Sequence, residues 1–398
     1  MRQALIIVAA VIVIAGVGVG VYFMFFAGGA NIIVAPSGDA DTLPEAGSVP
    51  TAPVDEETPV VDIEQPRQVA ARLVQISKGP VVTGAVVYTA SSTDSAPEVA
   101  VNFIARESGN IYRYLVQSGS LTRTSNKTIP GIQETLWLPD GSLAYVRYLS
   151  GETHDTINTY ALPESGDGGY FLAQNIADLS VHDAEILTVA EGTNGSVATR
   201  SRADGSNARQ VFVTPLSMLR ANFLGVREHL TFTKPSALTP GYAYLVNSIG
   251  NFERIAGPLN GLVALPSSSG EWVLISYSSQ GLPALSLYEV KERTLIALPI
   301  ATIADKCVWA DDDRAVYCGV PIDPPESYIY PDDWYQGAVA FRDRLWKIDV
   351  EGRFAELVLD FEKETGQSLD ATGLAIDTAP TILVFKNKRD ASLWSYAL

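Results

Sequence analysis

Residues 136–149 read LWLPDGSLAYVRYL: a short apolar run, a Pro-Asp-Gly-Ser turn, then a longer run in which apolar residues return. Asp-Gly tolerates the positive φ of a tight turn, and the flanking aromatic and β-branched residues suit a pleated, half-buried surface. The stretch therefore predicts a β-hairpin. Its shape recurs at 177–192 (ADLSVHDAEILTVAEG), 262–278 (LVALPSSSGEWVLISYS) and 307–320 (CVWADDDRAVYCGV). In each, a polar or glycine-bearing turn separates a short first strand from an apolar second one.

Working outward, units start near Thr83, Glu134, Ile176, Met218, Leu259, Ala304 and Asp370. A repeat of about 40–50 residues built from short strands is what propeller blades require. The expected fold is all-β, a seven-bladed β-propeller. The last unit is one strand short, while residues 72–77 (RLVQIS) precede the first unit without a blade of their own. Joining the two closes the ring and removes a free sheet edge. A β-sandwich would need fewer strands and leaves the period unexplained. The only hint of helical periodicity after residue 71 is weak and covers residues 354–365.

The N-terminus reads differently. Residues 4–27 form 24 consecutive uncharged positions, ALIIVAAVIVIAGVGVGVYFMFFA. A helix of that length spans roughly 36 Å, enough for a bilayer core, and exceeds the apolar core of a cleavable signal. Arg2 precedes it and the next basic residue is Arg67, so the rule of basic residues inside places the N-terminus in the cytoplasm and exports the rest. Residues 28–70 hold six prolines, eight acidic residues and one basic residue. Such a stretch buries too little apolar surface to order itself. The expected organisation is a transmembrane anchor at 1–27, a disordered acidic linker at 28–70 and a propeller at 71–398, on a single-pass protein of the cell membrane.

The net charge of −17 excludes a nucleic-acid partner, which calls for a basic stripe. Cys307 and Cys318 are the only cysteines. If Asp311–Arg314 forms the hairpin loop, Trp309 faces Val316 and Cys307 faces Cys318, close enough for a disulfide. An exported compartment lets it persist.

No catalytic constellation is visible. His154, His182 and His229 fall in different units, without a nucleophile elbow, and are expected at surface or turn positions. No clustered ligand set suggests a metal or other cofactor. Asp311–Asp313 reads as a solvated hairpin tip. The unusual segment is an insertion at 321–341, PIDPPESYIYPDDWYQGAVAF, carrying Tyr328, Tyr330, Asp332, Asp333, Trp334 and Tyr335. Aromatics with polar ends suit a binding patch for protein or sugar; equally, the insertion can fold back and cap the ring.

The PDGS turn with its flanking strands resembles the repeats of bacterial TolB-like and WD40-like propellers. The exported region is similar to membrane-anchored members of that group through SGNIYRY (108–114), TIPGI (128–132), CVW with VYCGVP (307–321), YPDDWYQG (330–337) and SLWSYAL (392–398). The resemblance implies a fold and an extracytoplasmic address, not an activity. The leading expectation is a non-enzymatic scaffold binding a protein at the cell surface. The alternative is binding of a cell-wall polymer or carbohydrate, with or without hydrolysis.

Overall fold

Seven antiparallel sheets account for the strands of the computed structural model, which describes residues 65–91 and 96–398. The expected membrane helix at 1–27, and the linker up to residue 64, lie outside the described residues. Among the described residues no helix is long and apolar enough to cross a membrane. Six sheets have four strands each, covering residues 86–123, 132–171, 176–214, 219–260, 263–297 and 307–360, and are called blades 1 to 6. Blade 7 has five strands. The protein is a seven-bladed β-propeller, as the repeat predicts.

The hairpin at 136–149 shows why the local sequence folds so. Leu138 N donates to Leu143 O and the Asp140 carboxylate accepts from Ser142 N, tightening the turn. Gly141 sits at φ 72°, and a Cβ there would meet the Tyr88 ring. Glycine is thus required both for conformation and for the approach of blade 1. Second and third strands, such as Trp272–Ser279 and Leu282–Glu289, read as nearly continuous apolar runs because neighbouring blades cover both faces. The largest apolar cluster joins blades 4, 5 and 6 through fully buried Leu230, Leu274, Ile275 and Val316. Each such side chain contributes about 1.5–3 kcal/mol by leaving water.

Ring closure joins the two ends of the body. Strand Leu73–Ser77 pairs with Leu393–Ala397, setting Leu73 against Tyr396 and Gln75 against Trp394. Val81 N donates to Ala391 O and Ala397 N to Arg72 O on either side of this seam. Strand Arg67–Ala70 then adds a fifth, outermost strand. The ordered body therefore begins a few residues before the expected boundary at 71; the bend at Ala71-Arg72 lets this polar stretch pair although it buries little.

The cysteine hairpin has the predicted register. Cys307 faces Cys318 with Cα atoms 4.1 Å apart, and the two form a disulfide. Ala310 N donates to Ala315 O, leaving Asp311–Arg314 as the turn. The tip is not wholly solvated, however. Asp313 is buried and accepts from Ser268 N and Ser269 N, clasping blade 6 to the first hairpin of blade 5. The weak helical pattern at 354–365 resolves into an edge strand, Phe354–Asp360, and one helical turn, Phe361–Thr365. Ladder bonds to Asp343–Asp349 override the periodicity, and Asp360 caps the turn by accepting from Lys363 N.

Residues 65–398 are expected to fold without the preceding chain, giving a cooperative thermal transition by circular dichroism. A chain starting at residue 79 loses the closing strand with fully buried Leu73 and Ile76 and should be destabilised by several kcal/mol in urea. Replacing both cysteines by serine should cost about 3 kcal/mol, the entropy of a short closed loop, with no change in the far-ultraviolet spectrum.

Candidate functional site at the axial mouth

In blades 1 to 6 the first-to-second and third-to-fourth strand turns lie at one end. The second-to-third loops and the links between blades lie at the other, where the innermost strands begin. At that end a cavity of about 580 Å³ opens on the ring axis. Its walls come from the starts of several blades and from the blade 6 insertion, which delivers Trp334 and Tyr335.

The insertion leaves blade 6 after strand Ala315–Pro321 and returns at Asp343–Asp349. Its one-turn helix, Asp332–Tyr335, reaches across to blade 4. There Asp332 accepts from Ser236 Oγ (2.9 Å) and Ala237 N (2.7 Å). Asp333 accepts from Ile329 N (2.7 Å), closing the local turn. Tyr330 is buried against Phe341, its hydroxyl donating to Pro325 O (2.6 Å). Tyr328 packs, half-buried, on the blade 4–6 core. Trp334 is buried, and its indole N–H donates to Asp370 Oδ2 (3.0 Å). Tyr335 alone of these aromatics stays largely exposed, with its hydroxyl donating to Asp305 Oδ2 (2.7 Å) in the mouth. The insertion is a packed strap, of which Trp334 and Tyr335 face the cavity.

What anchors the strap is Lys306, whose side chain is wholly buried. Its ammonium donates to Asp343 Oδ2 (2.8 Å), to Asp370 Oδ1 and to Ala371 O (2.9 Å), and lies 5.0 Å from the Trp334 ring centre. Asp370 also accepts from Phe341 N (2.8 Å), so one carboxylate holds blade 7, the ammonium and the strap. Burial works against the charged lysine, but Asp343 and Asp370 outweigh it and its pKa rises. Burial and the adjacent Asp370 raise that of Asp343. Replacing one partner of such a group strands a buried charge.

Most charges around the mouth are matched. Arg220 Nη1 donates to Asp305 Oδ2 (2.9 Å), Asp178 Oδ1 lies 3.9 Å from Arg220 Nε, and Arg147 pairs with Glu134 at 2.7 Å. Burial pushes Asp178 up to about 6 despite Arg220. Two cations differ. Lys386 has no carboxylate within ion-pair distance among the described residues, and its ammonium donates to Thr83 Oγ1. Burial first, then Arg106 and Lys388, pull its pKa down to about 8. Lys388 also lies 5.0 Å from the strap's Trp334 ring centre, and burial lowers its pKa too. The mouth of an acidic protein thus has a cationic wall. Sequence reading passed over it, although FKNKRD (385–390) sets three basic residues together in a chain of net charge −17.

The three histidines stay apart from this site. His154 is exposed at a turn, His182 stacks half-buried on Phe223 with centroids 5.4 Å apart, and His229 is buried rather than at the surface. Among the described residues no three of His, Cys, Asp and Glu converge to hold a metal ion.

No protein-family model matches the chain, and no curated protein matches it either. Solved structures do. An oligogalacturonate lyase in complex with manganese aligns with TM-score 0.53 at 8% identity, over 85% of this chain and 96% of the other. An oligogalacturonate lyase from Vibrio parahaemolyticus gives 0.52 at 7%, over 84% and 98%. The acylaminoacyl peptidase of Pyrococcus horikoshii gives 0.50 at 10%, over 80% of this chain and 52% of that larger one. At such identities the likeness is one of fold, and that fold is the propeller.

Two outcomes check the site. Trp334→Ala should cost about 3–5 kcal/mol in urea unfolding, as for a large buried aromatic, whereas Tyr335→Phe should stay within about 1 kcal/mol. Asp178 has a folded pKa of about 6 against an ordinary 3.8. Its contribution is therefore fully present below about pH 4 and is lost as pH rises through 6. Asp178→Asn should match the parent near pH 4 and exceed it in stability above pH 6, by up to about 3 kcal/mol.

Proposed function

We propose that this chain is a membrane-tethered, extracytoplasmic binding protein whose propeller presents the axial mouth to an acidic group of its partner. The observation that carries this reading is the cationic wall: Lys386 and Lys388 face a cavity of about 580 Å³ without a matching carboxylate on Lys386. A half-buried ammonium held below its ordinary pKa gains when an anion enters beside it. The surrounding ion pairs and the anchored strap hold the wall in place beforehand, which reduces the ordering cost of binding.

The uncharged run at 4–27 and the acidic, proline-rich 28–70 support the tether, and the Cys307–Cys318 bridge suits an oxidising compartment. A protein partner at the cell surface is the first reading. A cell-wall polymer bearing carboxylates is the second, favoured by the aromatic Tyr335 beside the wall, on which a sugar ring can stack. The test is a pull-down from intact cells with the soluble body as bait. The same partner should be retained by the parent and lost from Lys386→Glu/Lys388→Glu. Retention by that variant sinks the axial reading, and release of a soluble product from cell-wall glycans would make the protein an enzyme.

A further inference from the structure

On the end of the propeller opposite the mouth, a cleft of about 380 Å³ lies between blades 3 and 4. It is lined by Arg200, Arg209, Arg227 and His229, with Ser248 at its edge. These residues sit at the hairpin turns: Arg200 and Arg209 flank the last turn of blade 3, and Arg227 lies in the first turn of blade 4.

The three guanidinium groups are not equivalent. Arg200 is buried and committed: its Nε donates to Glu185 Oε2 (3.0 Å), Nη2 to the same carboxylate oxygen, and Nη1 to Val226 O (2.8 Å). It also lies over the Phe223 ring. Arg209 and Arg227 are exposed at the cleft and have no ion pair among the described residues, although Glu185 is within electrostatic reach of Arg209. Glu185 offsets one guanidinium, leaving about two positive charges facing one cavity in a chain of net charge −17.

His229 is the second, independent sign. It is 3% exposed, and neither ring nitrogen makes a well-formed hydrogen bond within the protein, although the Val246 backbone lies close to the ring. Burial, with Arg200 and Arg209 nearby, pulls its pKa down to about 4, so the ring is neutral and offers one N–H. A buried imidazole with both nitrogens unsatisfied is costly unless something else meets them.

We propose that this cleft binds a phosphoryl group. A phosphomonoester carries nearly two negative charges at neutral pH and three acceptor oxygens. That matches two free guanidinium forks plus one imidazole donor, where a carboxylate would leave a charge over. The volume exceeds that of a bare oxyanion, so the group arrives on a larger body. Val226 and Ile249, both strongly exposed at neighbouring turns, would meet an apolar part of it. The carrier is therefore a soluble phosphomonoester or the headgroup of an anionic lipid. This inference stands apart from the axial reading, which uses the opposite end.

The test uses the full chain in phosphatidylcholine nanodiscs. In one arm, sn-glycerol 3-phosphate is titrated by calorimetry against glycerol at matched ionic strength. In the other, co-sedimentation is measured with vesicles containing phosphatidic acid, against phosphatidylcholine alone. Binding in the first arm only identifies a soluble phosphomonoester; binding to the acidic vesicles identifies a lipid headgroup. Either should weaken at least tenfold in R209Q/R227Q, whose exposed positions leave the fold intact. No binding in either arm overturns the proposal, as does binding that R209Q/R227Q leaves unchanged.

Discussion

One wholly buried ammonium group determines the shape of this protein's axial end. Lys306 has three oxygen partners, two from carboxylates and one from the backbone, and aromatic faces of the strap beside it. Remove the lysine and two buried carboxylates face each other uncompensated; remove Asp370 and the strap loses both its indole and its backbone anchor. Buried ion groups are rarely the cheapest way to stabilise a fold. Their value here is positional, because one cluster fixes blade 6, blade 7 and the strap to a single geometry. Through Trp334 it also fixes the surface on which Lys388 rests.

That geometry has meaning only on a closed ring. The seam between Leu73–Ser77 and Leu393–Ala397 places blade 7 next to blade 1, and so brings Lys386 to Thr83. The disulfide and the Asp313 clasp tie blade 6 to itself and to blade 5 on the far side of the lysine cluster. The parts of the chain that bear charge are thus placed by parts that are apolar or covalent. Charge is then divided between two ends, with lysines at the mouth and arginines in the cleft.

The sequence made the ring legible because each blade repeats its own grammar of short strand, polar turn and apolar strand. Starts expected at Glu134, Ile176 and Met218 fall within two residues of the strands at Ile132, Ile176 and Leu219. Closure was legible because RLVQIS had no blade, and the disulfide because one hairpin register suffices to pair two cysteines. The polar strand Arg67–Ala70 was not, since nothing in its composition sets it apart from a linker. The insertion was visible but its orientation was not: exposed and buried aromatics look alike in sequence, and what buries Trp334 is Asp370, 36 residues away. For the same reason Lys386 could not be assigned to a mouth whose other walls come from blades 1, 2, 4, 5 and 6.

The strap is a fixed wall of the mouth, not a mobile loop. Native-state hydrogen exchange followed by mass spectrometry tests it most directly. The amides of Tyr335 and Phe341, which donate to Pro331 O and Asp370 Oδ2, should exchange as slowly as those of the blade 6 strands. They should open only with the whole body. Exchange of these amides within seconds, while the blade 6 strands stay protected, would contradict it.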